Sequence, residues 1–161
     1  MAHLQEITSY KNQLMQAICT NENIFNLLKI EGDDALTMRD MPYERVFPYA
    51  HVPDTNEETK AFVCFDLIVP RVWSNVIKEV EIDLFVMSHQ AIMRMPDGQG
   101  IRIDLIATEL DKMLNGSRAY GVSTVDLTYL GNFIPINGYY GHEIRYKVPD
   151  INRSLCEVRT N

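Results

Sequence analysis

Residues 76–89 alternate between apolar and charged side chains, and this pattern restricts the fold more than any other feature of the sequence. The apolar side chains on one side of the pattern are Val76, Val80, Ile82, Leu84 and Val86. The carboxylates on the other side are Glu79, Glu81 and Asp83, which precede the apolar Phe85 and Met87. A period of two is typical of a β-strand with one face in a core. The run exceeds the usual length of about 5–6 residues, so one end is expected to project beyond the core.

Further strands are predicted at residues 61–69, 122–130 and 139–148, with Pro70 ending the first of them. A turn is expected at Gly131-Asn132, and Asn137-Gly138 is a second candidate for a hairpin turn. Residues 45–51 predict a short strand, which Pro48 restricts to a sheet edge or a bulge.

Apolar residues at helical spacing predict two principal helices, at residues 4–18 and 101–114, with a short helical stretch at 22–29. Strands joined by short loops indicate an antiparallel sheet with helices on one side. The predicted fold class is therefore α+β, with a mainly antiparallel sheet and two principal helices packed on one face. A single domain is expected over residues 1–161, with an irregular insertion at 32–60 and an extended C-terminal tail at 149–161.

Composition indicates a globular protein, because hydrophobic residues make up 46% of the chain and charged residues 23%. No apolar run approaches the roughly 20 residues that span a bilayer. The N-terminus lacks the pattern of a signal peptide, so we expect a cytoplasmic protein. The formal net charge of −7 argues against tight binding to duplex DNA and against docking on an anionic membrane. An acidic surface is still compatible with DNA that passes close to the protein without binding to it.

The acidic stripe formed by Glu79, Glu81 and Asp83 is the most enzyme-like feature. Clustered carboxylates, with Asp66 on the preceding strand as a fourth, are ligands that divalent cations prefer. A metal-dependent nuclease also needs a lysine or histidine beside them, and Lys78 falls on the opposite face. A solvated strand face explains the stripe most simply, and an acidic wall that faces a pore or partner is a third interpretation.

No other pattern points to chemistry. The three cysteines lie far apart, and the four histidines lack metal-binding spacing. Phosphate loops, nucleophile elbows and dinucleotide fingerprints do not occur. We therefore expect no catalytic residue, no cofactor and no metal, and a role in assembly or binding. Tyr139, Tyr140 and Tyr146 are a candidate interface, because tyrosine suits positions with one buried and one wet end, and ordinary strand packing explains them equally well.

The order of these elements resembles the tail terminator proteins of long-tailed bacteriophages, also called tail completion or neck proteins. The likeness rests on the helix Ile7–Ile18, the segment Val46–Tyr49, the helix and turn Ile101–Ser117, and the final strand Gly138–Asn152. It covers most of the chain and includes no catalytic motif.

The resemblance implies a structural protein of the phage neck. Such proteins form a ring, commonly a hexamer, that stops growth of the tail tube and lets DNA pass through its centre. The implied partners are further copies of the chain, the tail tube protein, and the head–tail connector or head-closure protein. The DNA would be bound without sequence specificity. The implied location is the virion neck, after assembly in the host cytoplasm.

Within that role, Glu79, Glu81 and Asp83 are candidate lumen residues, because an acidic wall repels phosphates. Two alternatives stay open from the sequence. One is a head-closure or connector adaptor of the same neck, and the other is a small metal-dependent nuclease.

Overall fold

A computed structural model describes residues 3–54, 59–74 and 76–151. This part of the chain is α+β, with one five-stranded sheet and three α-helices. The helices are α1 (His3–Cys19), α2 (Glu22–Leu28) and α3 (Arg102–Leu114). The strands are β1 (Val46–Phe47), β2 (Ala61–Val72), β3 (Ile77–His89), β4 (Asp126–Phe133) and β5 (Tyr139–Ile151). None of the helices in the described ranges is long and apolar enough to cross a membrane.

The sheet has the strand order β1-β2-β3-β5-β4 and is mostly antiparallel. The short strand β1 runs parallel to β2 at one edge, which is where Pro48 was expected to confine it. Strand β4 forms the other edge and joins β5 through a hairpin. Gly138 closes that hairpin with a φ of +89°, a left-handed conformation that glycine adopts without strain.

The pattern of residues 76–89 is confirmed as strand β3, which begins at Ile77. Four of its apolar residues face the helices and form the main core with side chains of α1, α2 and α3: Val80, Ile82, Leu84 and Val86. The opposite side of the sheet is named the open face here. It carries a smaller apolar cluster, to which no helix contributes: Phe47, Phe62, Cys64, Met87 and Tyr139.

Several predicted strand limits are wrong, among them the end of β2 and both ends of β4. Strand β2 continues past Pro70 to Val72, because the pairing with β3 shifts between Ile68 and Arg71 and tolerates a residue without an N–H donor there. Gly131-Asn132 is not a turn but lies inside β4, which starts only at Asp126. The hairpin turn lies instead before Tyr139, at the second candidate site.

Residues 32–60, which were expected to form an irregular insertion, also contribute to the sheet and the core. They provide β1 and the buried side chains of Met41 and Phe47, and Arg45 is buried against Asp33 at 2.6 Å. Residues 55–58 of this stretch lie outside the described residues. The predicted C-terminal tail begins later than residue 149, because β5 extends to Ile151, and residues 152–161 also lie outside the described part.

A buried ion cluster ties α1 to one end of the sheet. Lys78, on the helix side of β3, contacts the carboxylates of Glu6 and Asp150, the latter at 3.7 Å. The Tyr10 hydroxyl donates to Asp150 at 3.1 Å. Lys78 and Asp150 are almost fully buried, and such charges are tolerated in a core only when they are paired. The cluster therefore anchors α1 beside the turn that joins β2 to β3.

Candidate functional site

The acidic stripe lies on the open face, beside a basic stripe from the neighbouring strand β5. Lys147 Nζ lies 3.3 Å from Glu79 Oε1, and Arg145 Nε lies 3.7 Å from Asp83 Oδ1. Both carboxylates are largely covered by neighbouring side chains. The alternation in sequence therefore located the stripe correctly, but it did not reveal the cations that balance two of its three charges.

Asp83 is electrostatically the most perturbed member of the stripe. Burial, followed by the charges of Glu143 and Glu81, raises the pKa of its carboxyl to about 6, although Arg145 opposes the shift. Arg145 also donates to Glu143 Oε1 through Nε at 2.9 Å and Nη2 at 2.6 Å. Its guanidinium lies 4.8 Å from the centre of the Tyr129 ring. Asp83 thus shares one cation with a competing carboxylate.

The carboxylates of Asp66, Glu79, Glu81 and Asp83 are not arranged as the ligands of a metal ion. Asp66 turns to Lys11 on α1, with Oδ1 at 2.5 Å from Nζ. Within the described ranges, no group of three or more histidine, cysteine or acidic residues is arranged to hold a metal ion. Glu81 makes no ion pair within 4.0 Å among the described residues, and it is the member of the stripe whose charge is least compensated.

The three tyrosines of the candidate interface do not form one surface. Tyr139 is buried in the open-face cluster, where its ring packs on Phe62. Tyr146 is buried on the helix side, and its hydroxyl donates to Asp111 at 2.8 Å. Tyr140 alone is exposed. Tyr139 and Tyr146 therefore stabilise the protomer by ordinary strand packing.

A larger apolar surface lies at the end of the sheet where β2 turns into β3. Seven large hydrophobic side chains at this end are exposed: Ile68, Val69, Val72, Trp73, Val76, Ile77 and Ile151. The hairpin end is well bonded, since Trp73 N donates to Ile77 O at 3.0 Å and Ser74 Oγ accepts from Ile77 N at 3.1 Å. We name Val72, Trp73, Val76 and Ile77 the hairpin tip.

The length of the alternating pattern predicts that one end of β3 extends beyond the core, and Ile77 at that end is exposed. It does not predict how apolar this end of the sheet is. The available signal was the run of Val72, Trp73, Val76 and Ile77 around a turn, a position where polar side chains are usual. Isolated exposed hydrophobic residues need no explanation, whereas a contiguous group of them marks a site of association.

Strand β4 provides a second exposed surface at the far edge of the sheet. Its inner side pairs with β5, and nothing in the described ranges pairs with its outer side. Leu127, Tyr129 and Leu130 are all exposed. An eight-residue edge strand whose one charged residue, Asp126, stands at its first position is a template for pairing with another chain.

These features define a class: a small α+β domain on a single sheet, with a charge-balanced open face, an apolar hairpin tip and an unpaired edge strand. Comparison with known families matches residues 21–148 to the family described as YomW. The match covers most of the chain, which therefore belongs to the YomW family, a family with a phage-derived name that is consistent with a bacteriophage protein. A comparison with curated proteins finds no match.

Proposed function

We propose that this chain is a structural virion protein of a tailed-phage neck. Copies of it form a ring that caps the tail tube, joins it to the head connector and lets DNA pass through. The observation that carries the proposal is the exposed apolar hairpin tip, a surface that a single chain leaves in water and that a partner subunit covers. The phage-derived family name supports the setting.

The two exposed surfaces favour a ring over a symmetric pair. The hairpin tip and the β4 edge differ in structure and lie on different parts of the sheet. A contact between two unlike surfaces repeats from copy to copy, and it closes into a ring when the rotation permits. A hexamer is the expected size from the likeness to tail terminators.

The proposed role is not enzymatic. A nuclease requires carboxylates that are free to bind cations, whereas Glu79 and Asp83 already face Lys147 and Arg145. The same pairs suit a wall that neither attracts nor strongly repels DNA. Glu79, Glu81 and Asp83 remain the proposed lumen residues, with Glu81 contributing most of the uncompensated charge.

Deleting the gene from its phage tests this proposal and separates the terminator from the adaptor. Loss of a terminator removes the stop on tube growth, so we expect overlong tail tubes and unattached heads by negative-stain electron microscopy. Normal-length tails together with heads that leak DNA would identify a head-closure or adaptor protein instead. Complete infectious particles that lack the protein would contradict a neck role altogether.

A further inference from the structure

A groove runs between α3 and the outer strands β5 and β4 on the helix side of the sheet. Its volume is about 310 Å³. Helix α3 packs on β3 and β5, and β4 lies beside it. The apolar floor of the groove comes from Leu127, Leu130 and Ile144. Leu127 and Leu130 are exposed, so the floor is open to a partner. We name this feature the α3 groove.

Two polar pairs fix the walls of the α3 groove. His142 Nε2 lies 2.5 Å from Asp104 Oδ1, and the Tyr146 hydroxyl donates to Asp111 Oδ1 at 2.8 Å. Burial and this hydrogen bond raise the pKa of Tyr146, so its hydroxyl stays a donor. The Asp104 side chain is 57% exposed. The groove thus presents an apolar floor below an acidic rim.

The hairpin tip has the complementary character. Its apolar side chains follow directly on Arg71, which is exposed and makes no ion pair within the described part of the chain. Trp73 is 57% exposed. A cavity of about 150 Å³ holds a benzene molecule, so the α3 groove has room for an indole ring. The tip offers an apolar ring and one positive charge to a groove with an apolar floor and negative charges.

We propose that the hairpin tip of one copy inserts into the α3 groove of a second copy. Trp73 lies on the floor formed by Leu127 and Leu130, and Arg71 lies beside Asp104. The inference rests on the proposed function and names the contact that builds the ring. Because tip and groove are different parts of one chain, each copy donates one tip and accepts another.

The tip contains its own probe, because Trp73 is the only tryptophan in the sequence. Tryptophan emission and mass by light scattering are measured together on the purified chain, up to about 1 mM, where contacts as weak as millimolar become populated. In the wild-type chain we expect emission to shift to shorter wavelength as the mass rises. Leu130→Asp, which places a charge on an exposed part of the floor, abolishes both changes. Circular dichroism establishes that this variant is folded.

Mixing two defective variants tests the head-to-tail geometry. Trp73→Ser has an intact groove, and Leu130→Asp has an intact tip. We expect each variant alone to stay monomeric. In an equimolar mixture the intact tip of Leu130→Asp enters the intact groove of Trp73→Ser, so dimers form and the emission of the remaining Trp73 shifts. The control is Tyr43→Asn, which removes a ring that is 62% exposed near the opposite edge and keeps a residue that tolerates the positive φ of this position. This control assembles like the wild type.

Failure of the inference is distinct from failure of the proposed function. If the mass rises while Trp73 emission stays unchanged, or if Leu130→Asp assembles normally, the tip does not occupy the groove and rings form through another contact. If Leu130→Asp forms rings that no longer attach to tail tubes, the groove binds the tube protein and the inference is overturned. A chain that stays monomeric at the highest concentration also overturns it, and the gene deletion then decides the neck role independently.

Discussion

Asp83 lies on the open face among two further carboxylates and one cation, and its protonation couples this surface to pH. The unfolded carboxyl titrates near 3.8, whereas burial and the neighbouring Glu143 raise the pKa in the folded chain to about 6. The folded state therefore holds the proton more tightly. Between these two values the unfolded state binds fewer protons, so this group's contribution to stability falls as pH rises.

Asp83→Asn removes this dependence, because an amide resembles the protonated carboxyl at every pH. We expect the variant to match the wild type near pH 4. Above about pH 7 we expect it to be more stable by about 1 kcal/mol, allowing for solvent screening, or roughly 2–4 °C in melting temperature. Thermal unfolding at both pH values measures the difference. Asp126→Asn, the same charge change at an exposed position of β4, is the control and shows no such pH dependence. Equal stability of Asp83→Asn and wild type at high pH would contradict the predicted shift.

Two glycines on the paired strands β4 and β5, Gly131 and Gly141, are expected to differ in how well they tolerate substitution by alanine. A Cβ atom at Gly141 would collide with the Val86 carbonyl oxygen and the Phe133 ring. A Cβ atom at Gly131 would meet the hydroxyl end of Tyr129, an exposed side chain that can swing into solvent. Backbone resists displacement and the end of a flexible side chain does not.

We expect Gly141→Ala to destabilise the chain by about 1–3 kcal/mol, the usual cost of forcing extra volume into packed structure. Gly131→Ala is the matched control and changes stability by less than about 0.5 kcal/mol, as is usual at surface positions. Urea denaturation of both variants gives the comparison. Two equal losses would mean that the hairpin is generally intolerant of a side chain and that the collision with Val86 and Phe133 is not the cause.

Local patterns predicted the elements well where one residue type repeats along one face. The alternation in β3 and the helical stripe of α3 both depend only on neighbours in sequence, and both were found within one residue of their N-terminal limits. The end of β2 was missed because a proline ends a strand only where its absent N–H is needed, and the shifted pairing near Ile68 removes that need. Gly131 suggests a turn in the sequence, but glycine also occurs inside strands, and here the Tyr129 side chain occupies the space that a Cβ atom would need.

At the scale of the whole molecule, the missing parts of the site are contacts between distant residues. His142 meets Asp104, and Tyr146 meets Asp111, only because β5 and α3 are brought together by the fold. Likewise, the cations that balance the acidic stripe come from β5, more than 60 positions along the chain from Glu79 and Asp83. No local pattern encodes these pairs, so the sequence predicts an acidic strand face where the structure has a nearly charge-balanced one.

Because the open face is nearly charge-balanced, removing the charges of the three proposed lumen carboxylates should leave it with a net positive charge. We consider a triple variant with the changes Glu79→Gln, Glu81→Gln and Asp83→Asn. In it Lys147 loses its ion pair with Glu79, and Arg145 keeps an ion pair only with Glu143, so the open face becomes basic. Rings are expected to form, because the hairpin tip and the α3 groove are unchanged. DNA phosphates are then attracted to the wall, and ejection from purified particles slows at low salt and recovers at high salt, where charges are screened.

Time-resolved DNA release from particles that carry the triple variant measures this effect. Glu81→Gln alone gives a smaller slowing in the same direction, because its charge has no ion-pair partner within 4.0 Å among the described residues. A triple change of equal charge on exposed carboxylates elsewhere, Glu31→Gln, Asp34→Asn and Asp54→Asn, is the control and leaves release unchanged. If all variants release DNA at the wild-type rate, the open face does not line the channel, and the acidic stripe serves only to stabilise the pairing of β3 with β5.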